Sequence, residues 1–448
     1  MFLDKNYFLR SESAVRIFNG IKDLPVLDAH NHADVKAIAA NEPFRDLWEL
    51  FAATDHYVWE VMRKREVPEK LITGDASNYD KFMALARIFP ELAGNPVYEW
   101  IHLDLRFLGI EDILDSTTGD DIWKRGNAIL KDLPPREILK KLNIEVMCST
   151  DDPIDTLEEH DRINTAMGRR IIRPTWRPDK AVKISSPGWK NYIGQLGKRY
   201  NRNIYFLQDL IDVLKQSHDF FAMHGCRASD HGLEVMAGDK CDPVIAEDAF
   251  QNGCRASDEE KEHFAGVLMN HFGKWNAEKG WVTQLHLGAV RDVRAALWDK
   301  LGPDCGGDIS SLMQDHLPGL LAWLNKLDDQ VKTVLYCLDP CQQATLATVA
   351  RAFGSKVRLG SAWWLCDTPV GMKRQLEYIG SVDLLMNFAG MVSDSRKLLS
   401  YGSRFAMFRR VLANVLGEMV EAGQMPLTVA CRLAEAMAYH EPKKFFNF

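Results

Sequence analysis

The chain has 448 residues, is 46% hydrophobic and 26% charged, and carries a net charge of −7. That mild acidity, without any Lys/Arg run, argues against nucleic acid as the main partner. Nine scattered cysteines with no CxxC pair read as reduced thiols of a cytoplasmic protein, and no apolar stretch is long enough for a signal peptide or a membrane span.

Short apolar runs ending in polar residues predict buried strands. In chain order they cover 24–30 (LPVLDAH), 144–150 (IEVMCST), 169–176 (RRIIRPTW), 219–225 (DFFAMHG), 281–288 (WVTQLHLG), 333–339 (TVLYCLD), 356–364 (KVRLGSAWW) and 388–394 (FAGMVSD). Helical stripes lie between and after them. Phe206, Leu207, Leu210, Ile211 and Leu214 form one. Phe264, Val267, Leu268 and Phe272 form a second, opened by a Ser257–Glu260 capping box and closed near Gly280. The run from Phe405 through Phe408, Val411, Leu412, Val415 and Leu416 to Met419 forms a third. Eight strands alternating with helices predict an α/β fold, a (β/α)8 barrel of the TIM type spanning 1–448 as a single domain. The first two strands are separated by roughly a hundred residues, too many for an ordinary connection. Their helical, aromatic content predicts a helical insertion over 35–142 that covers the barrel mouth.

In such a barrel, chemistry gathers at the C-terminal ends of strands. The stretch DAHNH (28–32) follows the first strand, and residues i and i+2 of a strand share a face, so His30 and His32 project together. Two neutral imidazoles there suit zinc or a similar divalent ion. Alternatively, they end a polar strand and bond only backbone or water. Asp394, at the end of the eighth strand and hence beside the first, could complete the ligand set or simply cap the next helix. Arg396 could hold a substrate anion through its planar fork or sit in a surface ion pair. Arg177, between Pro174 and Pro178, could bind a carboxylate or pair with Asp179. His286 ends the fifth strand as a ligand, a substrate contact or a core histidine. Within the insertion, the titratable neighbours His56 and Tyr57 could reach the mouth, and Trp363 and Trp364 could wall the pocket. The hexapeptide GCRASD occurs at 225–230 and again at 253–258 in different contexts and has no functional reading. No Walker, GxGxxG or GxSxG motif is present.

Taken together, DAHNH, TDHYVWEVMR, LITGDASNYDKF, GNPVYEWIHLDLRFLGI, RPTWRPDKA, GCRASDHGLE, QLHLGAVR, LGPDCGGD and GMVSDSRKLLSYGSRFAMFRR resemble the uronate (glucuronate) isomerase family of the amidohydrolase superfamily, and the match extends from end to end. The resemblance implies a metal-assisted barrel that interconverts D-glucuronate with D-fructuronate and D-galacturonate with D-tagaturonate. It places His30, His32 and Asp394 as metal ligands, and His56, Tyr57, Arg177 and Arg396 at substrate-binding or proton-transfer positions. His286 and Trp364 join Arg177 and Arg396 as expected substrate contacts. One divalent ion, zinc, is the expected cofactor, a small hexuronate the partner, and homo-oligomerisation is left open. The family's motif usually has Cys between the two histidines, where this chain has Asn31; on a strand that residue faces away from the ligands. A rival reading is a metal-dependent hydrolase of the same superfamily acting on a sugar-acid-like amide or lactone; another is a sugar-acid binding protein without catalysis.

Overall fold

The computed structural model describes residues 2–233, 236–310 and 316–448. Glu234, the last residue of the GCRASDHGLE motif, lies outside them. A three-stranded parallel sheet joins β1 (Val26–Asp28), β2 (Ile144–Cys148) and β3 (Ile172–Arg173) in that order. The remaining strands are β4 (Ala228–Leu233), β5 (Val282–Leu287), β6 (Ala289–Val290), β7 (Ile309–Ser310), β8 (Lys332–Cys337) and β9 (Val357–Leu359). Of these, β4-β5-β8-β9 form a four-stranded parallel sheet, and β6 pairs antiparallel with β7.

Backbone bonds link the two parallel sheets at both edges. Trp176, just past β3, bridges to Ser229 of β4, with its N–H donating to Ala228 O and its carbonyl accepting from Asp230 N. At the opposite edge Ala389 N donates to Leu359 O, and Asp394 N donates to His30 O. The segment 388–394 predicted as a strand is therefore seated between β9 and β1, yet it is not an extended strand. Gly390 at φ 105° and Asp394 at φ 48° break the pleat.

The strand predicted over 219–225 is absent. One helix, Leu207–Met223, runs through it, because the buried residues Leu210, Ile211, Leu214, Ser217, His218 and Phe221 keep helical spacing to its end. The chain then turns at Gly225 (φ 87°) and enters β4, whose sequence ASDHGL is too polar to resemble a buried strand. Phe206 also leaves the predicted stripe: it precedes the helix and is exposed. The other two helices form as expected. Asp258–Lys279 has its Ser257/Glu260 capping box and ends at Gly280 in the left-handed region. Ser400–Glu421 buries Phe405, Phe408, Val411, Leu412, Val415 and Leu416.

Residues between β1 and β2 form a set of helices, among them His56–Lys64 and Pro96–Phe107. Buried Trp48, Phe51, Phe82 and Trp100 pack this region into the main core. All nine cysteines are free, and no helix among the described residues is long and apolar enough to cross a membrane.

Candidate metal centre and surrounding site

β1 ends at Asp28, and the next residues are pinned on both sides. Asn31 N donates to Cys148 O at the end of β2, and His32 N donates to Ser395 O. Asn31 is fully buried; its side-chain amide donates to Asp28 Oδ2 at 3.2 Å and its Oδ1 accepts from Ala33 N at 3.1 Å. The residue between the histidines thus points away from them and locks the turn that aims them. Asp28 accepts from both the backbone and the hydroxyl of Ser393, at 3.0 and 2.5 Å. Burial pushes its carboxyl up to about 6, with those bonds opposing the shift.

His30 and His32 point the same way. Their Nε2 atoms lie 3.1 and 3.2 Å from Asp394 Oδ1. Tetrahedral zinc with ligand bonds of about 2.0–2.1 Å has ligand–ligand edges of roughly 3.3 Å, and both Nε2–Oδ1 separations match such edges. Asp394 does not cap a helix; Trp363 Nε1 donates to its Oδ2 at 2.8 Å and fixes the carboxylate plane. Burial alone would raise its pKa, but hydrogen bonds and charge from His30 and His32 hold it well below the usual carboxylate range. It is therefore an anion ready to bind a cation.

A second cluster shares His30. Asp230, fully buried on β4, has Oδ2 3.4 Å from His30 Nδ1 and 3.1 Å from Arg177 Nη1, while its Oδ1 lies 2.7 Å from His286 Nδ1. The His30, His286 and Asp230 atoms approach closely without hydrogen-bond geometry, which leaves buried polar atoms seeking a partner. His30, Asp230 and His286 are close enough to cage an ion, as are His30, His32 and Asp394. The first set is buried and has the Arg177 cation against its carboxylate, which disfavours a metal there. The second faces a cavity. His286 stacks on Tyr336 with centroids 4.5 Å apart, and burial lowers its imidazole to about 4. Asp230 would be raised by burial, but Arg177, then His286 and His30, hold it well below the usual range. The sequence does not point to Asp230, because the strand predicted over 219–225 falls ahead of β4.

Three adjoining cavities of about 60, 200 and 250 Å³ lie at this end of the strands. Asp394, Arg396, His56, Tyr57, Trp364 and Arg291 line the first, and Arg177 and His286 line the second. Arg177 also makes the Asp179 salt bridge at 2.8 Å, the pairing that the sequence offered as one of its two alternatives. Arg291 sits over the Trp364 ring, 4.9 Å from its centroid. The insertion delivers His56 and Tyr57 on the helix His56–Lys64, which is capped by Asp55 accepting from Tyr57 N at 2.8 Å. The Tyr57 hydroxyl donates to Asp367 Oδ1 at 2.5 Å and accepts from Leu365 N at 2.6 Å. Burial raises its ionisation well above the ordinary tyrosine value. Asp367 is in turn paired with buried Arg404.

Beneath the cap, Lys397 is buried between Asp55 at 2.8 Å and Asp104 at 4.0 Å. Burial raises Asp104 from 3.8 to about 6, with Lys397 opposing. Between those values the folded chain holds a proton that the unfolded chain has lost, so stability falls as pH rises through the window. Asp104→Asn should therefore leave stability unchanged near pH 4 and raise it at pH 8, by an amount of order 1–3 kcal/mol; the Tm in thermal melts at the two pH values checks this.

The sequence profile of the Glucuronate isomerase family matches residues 1–446. The chain belongs to this family. It is 47% identical over 451 residues to the uronate isomerase of Thermotoga neapolitana, with both chains covered completely. Among solved structures, the uronate isomerase of Thermotoga maritima superposes with a TM-score of 0.97 at 46% identity, covering 100% of each chain. The glucuronate isomerase of Caulobacter crescentus superposes with a TM-score of 0.94 at 25% identity, over 99% of this chain and 96% of that one. A Lactobacillus casei protein described as a metal-dependent hydrolase shares the fold alone, at 14% identity and a TM-score of 0.58. As a uronate isomerase, the chain must carry an α-proton and two oxygens' worth of charge through the reaction. The cluster around Asp394 is where its polar groups converge.

Proposed function

We propose that this uronate isomerase converts D-glucuronate to D-fructuronate and D-galacturonate to D-tagaturonate by moving a proton between C2 and C1, with one divalent ion, zinc, held by His30, His32 and Asp394. The observation that carries this reading is the trio of ligand atoms with Asp394 Oδ1 3.1 and 3.2 Å from the two Nε2 atoms, open to a cavity lined by arginines. When bound, the ion supplies Lewis-acid polarisation of a substrate oxygen. We also read the two parallel sheets and the segment 388–394 as one closed (β/α)8 barrel, a single domain whose insertion 35–142 covers the mouth, working on a small hexuronate in the cytoplasm.

The chain's own groups divide the work. Asp394 is the base for the C2 proton: His56 Nε2 already accepts from Arg396, and the Tyr57 proton is already given to Asp367, whereas the Asp394 carboxylate lines the cavity. Tyr57, with its hydroxyl anchored by Leu365 and Asp367, lines the same cavity and is assigned to the passage of the hydroxyl proton between the two substrate oxygens. Guanidinium groups of Arg177, Arg291 and Arg396 give the pocket the positive charge that a hexuronate carboxylate requires. His286 and Trp364 wall it. Asp230, whose Oδ2 lies 3.4 Å from His30 Nδ1, acts on His30 through its negative charge, which favours a proton on the ring nitrogen facing away from the ligand site. Asp230→Asn should weaken metal affinity roughly 10–100-fold, measured by competition with a chelator; unchanged affinity would remove Asp230 from this role.

Incubation of the zinc-loaded protein with D-glucuronate and D-galacturonate in deuterated water tests the reading. Ketouronate formation is the expected result, with deuterium at C1 reporting exchange of the transferred proton. Turnover of an amide or lactone, with neither uronate consumed, would favour the hydrolase instead.

A further inference from the structure

The loop between β6 and β7 carries the motif LGPDCGGD, to which no role has been given so far. Its Asp304 forms two parallel bonds with Arg396: Nη1 donates to Oδ2 at 2.7 Å and Nη2 donates to Oδ1 at 2.9 Å. Arg396 Nη1 also donates to His56 Nε2 at 3.2 Å. A guanidinium has five N–H donors fixed in one plane. Three are engaged by Asp304 and His56, which leaves the Nε hydrogen and the second Nη2 hydrogen side by side on one edge. Arg396 lines the cavity beside Asp394, whereas Asp304 is not among the residues lining it. The carboxylate thus braces the guanidinium from behind.

The loop is built to hold that carboxylate in place. Asp304, Gly306 and Gly307 all have left-handed φ values, of 62°, 86° and 79°. Asp292 accepts from Asp304 N and Cys305 N, at 3.3 and 3.1 Å. On the other side, Arg63 Nη1 donates to Cys305 O at 2.7 Å, and Gly307 N donates to Glu60 Oε1 at 2.8 Å. A Cβ on Gly306 would come within 2.5 Å of Glu60 Oε1, and its φ of 86° favours glycine there. The insertion helix that supplies His56 therefore also supplies the clamp, through Glu60 and Arg63, that seats Asp304.

We propose that Asp304 is a positioning residue: it fixes the plane of the Arg396 guanidinium so that the Nε/Nη2 edge faces the oxygens of the bound hexuronate. This rests on the reading of Arg396 as a substrate contact. A carboxylate that merely occupied the arginine in place of substrate would have the opposite effect, since its removal would tighten binding.

Steady-state kinetics of the zinc-loaded full chain on D-glucuronate, with Asp304→Ala, Asp304→Asn, Arg396→Ala and the Asp304→Ala/Arg396→Ala double variant, decides between them. Asp304→Ala should raise KM about tenfold with kcat within about threefold of the parent, because a misaimed donor pair is felt first in binding. Asp304→Asn, which keeps one acceptor, should fall between. Tm should not move, since Asp304 is half exposed. In the Arg396→Ala background, Asp304→Ala should add less than about twofold, as expected when both act through one group. An Asp304→Ala enzyme with unchanged or lowered KM, or with effects fully additive to Arg396→Ala, would overturn the inference while leaving Arg396 in place. An Arg396→Ala enzyme with the parent KM would overturn the reading of Arg396, and this inference with it.

Discussion

Asp394→Asn is expected to lower kcat/KM for either hexuronate by roughly 10²–10⁴-fold, the range spanned by loss of a positioned proton-transfer group. The carboxylate has three calls on it: Oδ1 faces both histidine Nε2 atoms, Oδ2 takes the Trp363 indole hydrogen, and the negative charge is sustained by its surroundings. Asparagine keeps the shape but presents an uncharged oxygen and a hydrogen-bearing nitrogen, so both metal retention and proton abstraction suffer. His30→Ala removes the ring that touches both carboxylates, Asp394 and Asp230, and should leave the purified protein with much less zinc than the parent. Metal analysis after dialysis, alongside rates, checks both. Full activity and unchanged metal content in the two variants would remove these residues from the site.

Lys397→Ala should have the largest effect on stability, a loss of about 3–5 kcal/mol, because deleting one member of a buried pair strands the other's charge. Lys397 is 2% exposed and Asp55 is 7% exposed. Burial would lower the lysine and raise the aspartate, yet their mutual attraction reverses both shifts, so both are charged in the folded chain. Asp55 also caps the helix that begins at His56. Without its counter-ion the cap is a desolvated anion, and the helix carrying His56 and Tyr57 loses its anchor. Activity should therefore fall with stability although Lys397 is assigned no chemistry. Adding Asp55→Asn to Lys397→Ala should recover part of the lost Tm, and strictly additive losses in urea or thermal unfolding would contradict the pairing.

How much of this was legible in the chain depends on the range of the interaction. His30 and His32 point together as the alternation of a strand suggests, although β1 ends at Asp28 and the turn pinned at Asn31 is what aims them. Asp394 could be placed near them because neighbouring strand ends meet. The Ser257/Glu260 cap is likewise local, and it forms as written. Asp230 was hidden because ASDHGL has no apolar run; its strand is buried with polar side chains turned to one another instead of to water. The partnerships of Lys397 with Asp55, of Arg404 with Asp367 and of Arg396 with Asp304 join distant segments, and no spacing rule announces them. Helix and strand were confused at 219–225 because two adjacent phenylalanines satisfy either pattern over so few residues.

His30 and Asp394 are separated by 364 residues. At a synthesis rate of 5–20 residues per second, the second emerges roughly 20–70 s after the first. Throughout that interval the nascent chain presents a pair of histidines with no carboxylate to complete them, and β1 lacks its neighbour on one side. With the proposed ligand set, metal binding would have to wait until the two ends of the polypeptide have found each other.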